Sequence, residues 1–126
     1  MPTRAHEFDA GLDLYAPHDA TIRSKQSCRF STGVHIQLPQ NTVGFLKSKS
    51  GLNVNHSLTS EGVIDCGYTG SIVVKLYNHS DRSYRVRKGD KISQLVILPC
   101  LLPELEVVDS LEDTERGTDG FGSTGR

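Results

Sequence analysis

Four short runs hold the residues best suited to chemistry. In GVIDCGYTG (Gly62–Gly70), Asp65 follows an apolar pair and Tyr68 falls in the turn behind it. An Asp ahead of a Gly-containing turn is ordinarily a turn former. The sharper reading is a carboxylate held beside an anionic substrate, fit to take a proton from water. KSKSGL (Lys47–Leu52) sets two cations and two hydroxyls before a glycine and a helix start. Taken alone it reads as a strand end with a solvated face. Its chemical reading is phosphate binding, by helix-start N–H groups, a Ser hydroxyl and a nearby ammonium. The terminal RGTDGFGSTGR (Arg116–Arg126) has Phe121 as its one apolar side chain. Such a composition cannot form a core and by default is a disordered tail, yet a pliant backbone with one ring to stack also suits a flap closing over a nucleotide. DRSYRVRKGDK (Asp81–Lys91) alternates so that Arg85 and Arg87 share one face, opposite Tyr84 and Val86. With no interleaved aromatics it reads as a solvated strand face.

Other chemistries are excluded by context. GFGSTG (Gly120–Gly125) satisfies G-x-G-x-x-G but cannot open a helix after a strand, because the sequence stops one residue later. No P-loop and no H-E-x-x-H occurs. The five histidines lack ligand spacing, so a zinc site built by the protein is not expected. The three cysteines (Cys28, Cys66, Cys100) are too few and too scattered for a disulfide framework and read as free thiols in a reducing compartment.

These runs need elements to position them, and the hydrophobic pattern says which. Val34, Ile36 and Leu38 alternate with His35 and Gln37, and Tyr84 and Val86 with Arg85 and Arg87. SIVVKLYN (Ser71–Asn78) and KISQLVIL (Lys91–Leu98) are β-branched runs with the length of buried strands. Turn signals separate them at Pro39–Asn41, Gly67–Gly70, Asn78–Asp81 and Lys88–Asp90. Short strands at this spacing predict an all-β sandwich, barrel or jelly roll. The single predicted helical turn is Ser50–Asn55, with Ser50 as its N-cap.

At 126 residues the chain fits one domain. Fourteen Lys and Arg against fifteen Asp and Glu give a charge of −1, too little positive charge for a protein that coats nucleic acid. No stretch nears the roughly 18 apolar residues of a membrane span, and the start lacks a secretory layout. A soluble, cytoplasmic protein is expected. Hydrophobic residues reach only 36%, with no Trp, a thin core that favours covering surface in an oligomer.

Five ordered segments resemble the trimeric deoxyuridine triphosphatase (dUTPase) family: AGLDLYAP (Ala10–Pro17), KSKSGL, GVIDCGYTG, KGDKISQLVI (Lys88–Ile97) and RGTDGFGSTG (Arg116–Gly125). The resemblance covers nearly the whole chain and replaces the bland readings of Asp65 and of the tail. It implies a distorted, β-clip-like jelly roll with at most one short helix, assembled as a homotrimer whose active sites are shared between neighbouring subunits. It divides the chain into a β domain over 1–115 and a closing flap over 116–126. The implied reaction is dUTP plus water giving dUMP and pyrophosphate, which keeps uracil out of DNA and supplies dUMP for dTMP synthesis. Mg²⁺ would be held by the triphosphate and waters rather than directly by the protein.

By the same resemblance, Asp65 is the general base and contacts the sugar 3′-hydroxyl. Tyr68 packs under the deoxyribose with Val73 beside the site, leaving no room for a 2′-hydroxyl. Gly62, Val63 and Ile64, with Thr59 at the start of the hairpin, present backbone groups to uracil. Lys49, Ser50 and Gly51 bind phosphates, and Gln94 supports them. Asp13 is a structural carboxylate near the metal's waters. Arg116 meets the γ-phosphate, Phe121 covers the uracil, and Gly122, Ser123 and Thr124 close on the phosphates.

The chain departs from the family in having Lys49 where Arg is usual, which keeps the charge without the planar fork, and Thr59 where Asn is frequent. Family members also commonly carry a further strand ahead of a segment like Pro2–Gly11. A dCTP deaminase-type relative would place a Glu in the strand after the Asp65 segment, where SIVVKLYN has no carboxylate. A non-catalytic, nucleotide-gated binding protein of the same fold would have lost Asp65 or the tail, and both are present.

Overall fold

The computed structural model describes residues 1–125. Nine strands and one helix follow in chain order: β1 (Gly11–Tyr15), β2 (Ala20–Ile22), β3 (Ser27–Ser31), β4 (Thr42–Lys47), α1 (Ser50–His56), β5 (Leu58–Thr59), β6 (Glu61–Ile64), β7 (Val73–Asn78), β8 (Tyr84–Val86) and β9 (Lys91–Pro99). They form a four-stranded sheet in the order β1-β9-β4-β6, a pair β2-β8 and a three-stranded sheet β3-β7-β5. Every pairing is antiparallel. The all-β, jelly-roll-like expectation with one short helix holds. Among the described residues no helix is long and apolar enough to cross a membrane.

Alternation explains the core. Phe30, Val74, Leu76, Val86, Ile92 and Leu95 point inward with Leu14, Ile22, Leu46, Leu58 and Ile72, all buried, and burying each such side chain stabilises the fold by about 1.5–3 kcal/mol. The run read as a buried strand at Ser71–Asn78 is buried on one face only. In β7, Val74, Leu76 and Asn78 are inside, while Val73 and Tyr77 are exposed. Lys91–Leu98 is buried in its first half and emerges at Ile97 and Leu98.

Two local expectations need correction. Val34, Ile36 and Leu38 do alternate inward against exposed His35 and Gln37, but the segment forms no strand. Thr32 N–H donates to the Ile72 carbonyl and Ile72 N–H to the Val34 carbonyl, which extends the β3–β7 pairing one step before the ladder ends. Ser50 is not the N-cap. It is already helical, and Lys49, with extended φ −71° and ψ 130°, holds the cap position without a side-chain cap bond.

Past β9 the chain leaves the body. The Cys100 N–H donates to the Asn41 carbonyl at 2.9 Å. Beyond it Leu101, Leu102, Leu105, Val107 and Leu111 are exposed.

Candidate active site

Strand β6 is an edge of the four-stranded sheet, paired on one side with β4 through Gly44↔Ile64, Phe45↔Val63 and Leu46↔Gly62. An edge strand directs part of its main-chain N–H and C=O groups outward, free for a ligand. Gly62 lies close over Leu46, whose Cδ1 would be 3.2 Å from an added Cβ. The strand runs into a turn closed by the Tyr68 N–H donating to the Asp65 carbonyl at 3.1 Å, with Gly67 at φ 99°. The turn therefore uses the main chain of Asp65, and its exposed carboxylate is left for other work.

Val63, Ile64, Asp65, Tyr68 and Val73, all candidate site residues, line one hollow of about 230 Å³ together with Ser71. The Tyr68 hydroxyl donates to the Ser71 carbonyl at 2.9 Å, which holds the ring at the hollow. Three side chains that the sequence reading passed over pin this turn to the extended Ser31–Pro39 segment. Ser71 Oγ meets Ser31 Oγ at 3.1 Å and accepts from the Gly33 N–H at 3.0 Å. His35 Nδ1 donates to the Thr69 carbonyl at 2.7 Å. The Cys66 thiol points to the Leu38 and Pro39 carbonyls at 3.6 and 3.5 Å.

The candidate phosphate residues gather where β4 hands over to α1. Gln94 in β9 lies in register between Asp13 of β1 and Lys47 of β4, and its amide donates to the Ser48 carbonyl at 2.9 Å. Gly11 makes room for it, since an added Cβ would stand 3.0 Å from Gln94 Cδ. A buried hydroxyl chain fixes the hand-over: Ser60 Oγ meets Ser93 Oγ at 2.7 Å, Ser93 Oγ donates to the Lys47 carbonyl, and Ser48 Oγ accepts from the Ser60 N–H. Lys49 turns inward and pairs with Asp13, whose other oxygen takes Lys91 at 3.0 Å. Ser50 is exposed, and the space around Gly51 is open.

Electrostatics follow from that clamp. Burial pushes the Asp13 carboxyl up, but the hydrogen bonds and charges of Lys49 and Lys91 outweigh it and hold the group below 3.8. Lys91 is raised above 10.5, first by its hydrogen bond to Asp13 and then by that charge. With both oxygens on ammonium groups, Asp13 suits contact through water better than direct metal ligation. Among the described residues no group of three or more His, Cys, Asp and Glu is placed to hold a metal ion. This donor set fits a Mg²⁺ that arrives with its phosphate ligands.

The remaining candidates lie apart. Thr59 pairs with Tyr77 and its hydroxyl meets His79 Nε2 at 2.8 Å. In the tail, Arg116, Ser123 and Thr124 line a hollow of about 530 Å³ with Thr114, Glu115 and Asp119. Phe121 is fully exposed at φ 49°, followed by Gly122 at φ 92°. None of Lys49, Ser50, Gly51, Gln94 or the tail residues lines the Asp65 hollow. Arg126 lies outside the described residues.

Comparison with known proteins bears on the family and the fold. The family model described as dUTPase matches residues 1–125. A deoxyuridine 5′-triphosphate nucleotidohydrolase of Clostridium acetobutylicum is 42% identical over 99% of this chain and 88% of its own. One of Gloeothece citriformis is 44% identical with the same coverage. Among solved structures, the dUTPase of Staphylococcus bacteriophage 80alpha, a G164S mutant with dUpNHpp, superposes with a TM-score of 0.93 at 32% identity, covering all of this chain and 92% of that one. The family match, relatives 42% and 44% identical over nearly the whole chain, and the shared fold lead to one assignment: the chain belongs to the dUTPase family.

Proposed function

We propose that this dUTP diphosphatase hydrolyses dUTP to dUMP and pyrophosphate by in-line attack of water on the α-phosphorus, with Asp65 as the general base. The observation that carries the reading is the single hollow in which Asp65, Tyr68, Val63, Ile64 and Val73 meet. An exposed carboxylate on a turn closed by its own main chain can take a proton from a water placed beside it, a contribution of about 10²–10⁴-fold. The edge backbone of Gly62, Val63 and Ile64, with Thr59 at the hairpin start, reads uracil. Cytosine reverses that hydrogen-bond pattern and leaves buried groups unpaired. Tyr68, held by Ser71, floors the deoxyribose and excludes a 2′-hydroxyl.

Phosphoanhydride hydrolysis needs neutralised charge and alignment more than covalent chemistry. Lys49, Ser50 and Gly51 at the start of α1 bind the phosphates, with Gln94 bracing the loop through Ser48. A Mg²⁺ held by the triphosphate would supply further neutralisation of charge, and Asp13, with both oxygens on ammonium groups, would meet it only through water. Because the Asp65 hollow contains neither the phosphate residues nor the tail, a complete site takes them from neighbouring copies, as a homotrimer would provide. The exposed apolar side chains of residues 101–111 are the surface such an assembly covers. The β domain spans 1–115, and residues 116–126 act as the flap: Arg116 meets the γ-phosphate, Phe121 covers the base, and Gly122, Ser123 and Thr124 close on the phosphates.

The test is one assay with dUTP, dCTP, dTTP and UTP, following pyrophosphate and ammonia. Mg²⁺-dependent pyrophosphate release from dUTP alone is expected. Equal turnover of all four, or ammonia from dCTP, overturns the reading. The absence of a carboxylate from β7 (Val73–Asn78) argues against deamination.

A further inference from the structure

Asp13 is the most deeply placed charge of the phosphate region, with its side chain 3% exposed, and it is paired twice: Lys49 on Oδ1 and Lys91 on Oδ2. The second partner arises from an irregularity in the sheet. Between Leu14 and Tyr15 the β1–β9 register slips, so Tyr15 faces Lys91 where an unbroken ladder would set Ile92. Side chains alternate faces along a strand, and a bulge of one residue re-aims those beyond it. Here it swings Lys91 onto the face that carries Asp13.

The consequence concerns Lys49. An ammonium that serves a triphosphate has to leave Asp13, wholly or in part. Were Lys49 the sole partner, its departure would strand a buried carboxylate, and a buried charge that loses its partner is strongly unfavourable. Asp13 would then compete with the substrate for the same cation. Two ammonium groups on one carboxylate remove that conflict, because Lys91 stays when Lys49 turns outward. Lys91 is well secured in its charge, with Tyr15 and Asp9 adding to the pull of Asp13.

We propose that Lys91 is a positioning residue for the phosphate site, holding Asp13 compensated so that Lys49 is free to engage the triphosphate. This rests on Lys49 being a phosphate ligand.

The experiment titrates full-length protein with Mg²⁺ and the dUTP analogue whose α and β phosphorus atoms are bridged by nitrogen, and in parallel with deoxyuridine. Lys91→Met is expected to weaken the analogue roughly tenfold, within the usual range of coupling between interacting groups, and to leave deoxyuridine unchanged. In turnover the loss falls on KM more than kcat. Lys91→Arg restores binding. Asp13→Asn placed in the Lys91→Met background also recovers affinity, because a neutral Asn no longer retains Lys49. A merely structural role for Lys91 gives no such rescue. Wild-type affinity in Lys91→Met, or a double variant no better than the single one, overturns the proposal. Should Lys91→Met fail to fold by circular dichroism, Lys91→Gln against Lys91→Arg makes the same comparison. Lys49→Met separates the two layers: if it binds the analogue as wild type does, the phosphate role of Lys49 fails, whereas a weakened Lys49→Met beside an unaffected Lys91→Met refutes the role of Lys91 alone.

Discussion

Gly70 and Tyr68 compete for one volume: a β carbon on residue 70 would stand 2.6 Å from Tyr68 Cζ. The ring lies across the glycine, and its hydroxyl reaches the Ser71 carbonyl beyond. A methyl there cannot coexist with this ring position, but the exposed ring can rotate away without disturbing the core. Gly70→Ala is therefore expected to fold normally and to lose sugar selectivity. The ratio of kcat/KM for dUTP over UTP should fall about 10- to 200-fold, the range for a misfitted small group. An unchanged ratio would show that Tyr68 does not floor the sugar.

Asp65→Asn keeps the size of the side chain and removes its basicity. Turnover should fall about 10²–10⁴-fold while the non-hydrolysed analogue still binds by calorimetry. Undiminished turnover would exclude Asp65 as the base.

Deleting Arg116–Arg126 removes a segment whose described residues, 116–125, are exposed almost throughout and which lies past the Cys100–Asn41 main-chain bond. The melting temperature should barely move, in line with surface changes of within about 0.5 kcal/mol, while activity drops steeply. Phe121→Ala alone should raise KM. Full rates in the truncated protein would show that the segment takes no part in closing the site.

Acid stability should trace to Asp13. Its folded carboxyl lies below the ordinary 3.8, so its contribution is present above that value and is lost as pH falls through the folded one. Lys91 is raised above 10.5, so its contribution holds below 10.5 and is lost as pH climbs past the folded value. Melting scans should show a plateau between these limits and an acid limb that is shallower in Asp13→Asn. Part of the limb should persist, because Asp19 is also lowered, first by the Lys88 N–H.

Ser93→Ala leaves the Ser60 hydroxyl, 2% exposed, without its 2.7 Å partner. Urea unfolding should report a loss of about 1–3 kcal/mol, the cost of an unsatisfied buried group.

What the sequence discloses here follows the range of each interaction. Alternation and turn residues located β7, β8 and β9, because those signals are local. They also exposed the Val34–Leu38 alternation, yet pairing depends on a neighbouring strand, and the ladder stops at Val34. Ser50 has the chemistry of a cap, but the inward pull of Asp13 on Lys49 goes with a helix that begins one residue earlier than a cap at Ser50 requires. The candidate residues of the Asp65 hollow were legible because Val63 to Tyr68 are nearly contiguous. Ser48, Ser60 and Ser93 come from three separate segments, and Lys91 reaches Asp13 through a register slip. No pattern of residue types announces either.

The apolar arm that follows Cys100 also bears on what the proposed assembly would spare this protein. A lone chain trailing Leu101, Leu102, Leu105, Val107 and Leu111 in water offers proteases an extended substrate and offers other nascent chains an adhesive strip. Newly made copies that find one another quickly would escape both fates, and limited digestion of dilute samples would read that race directly.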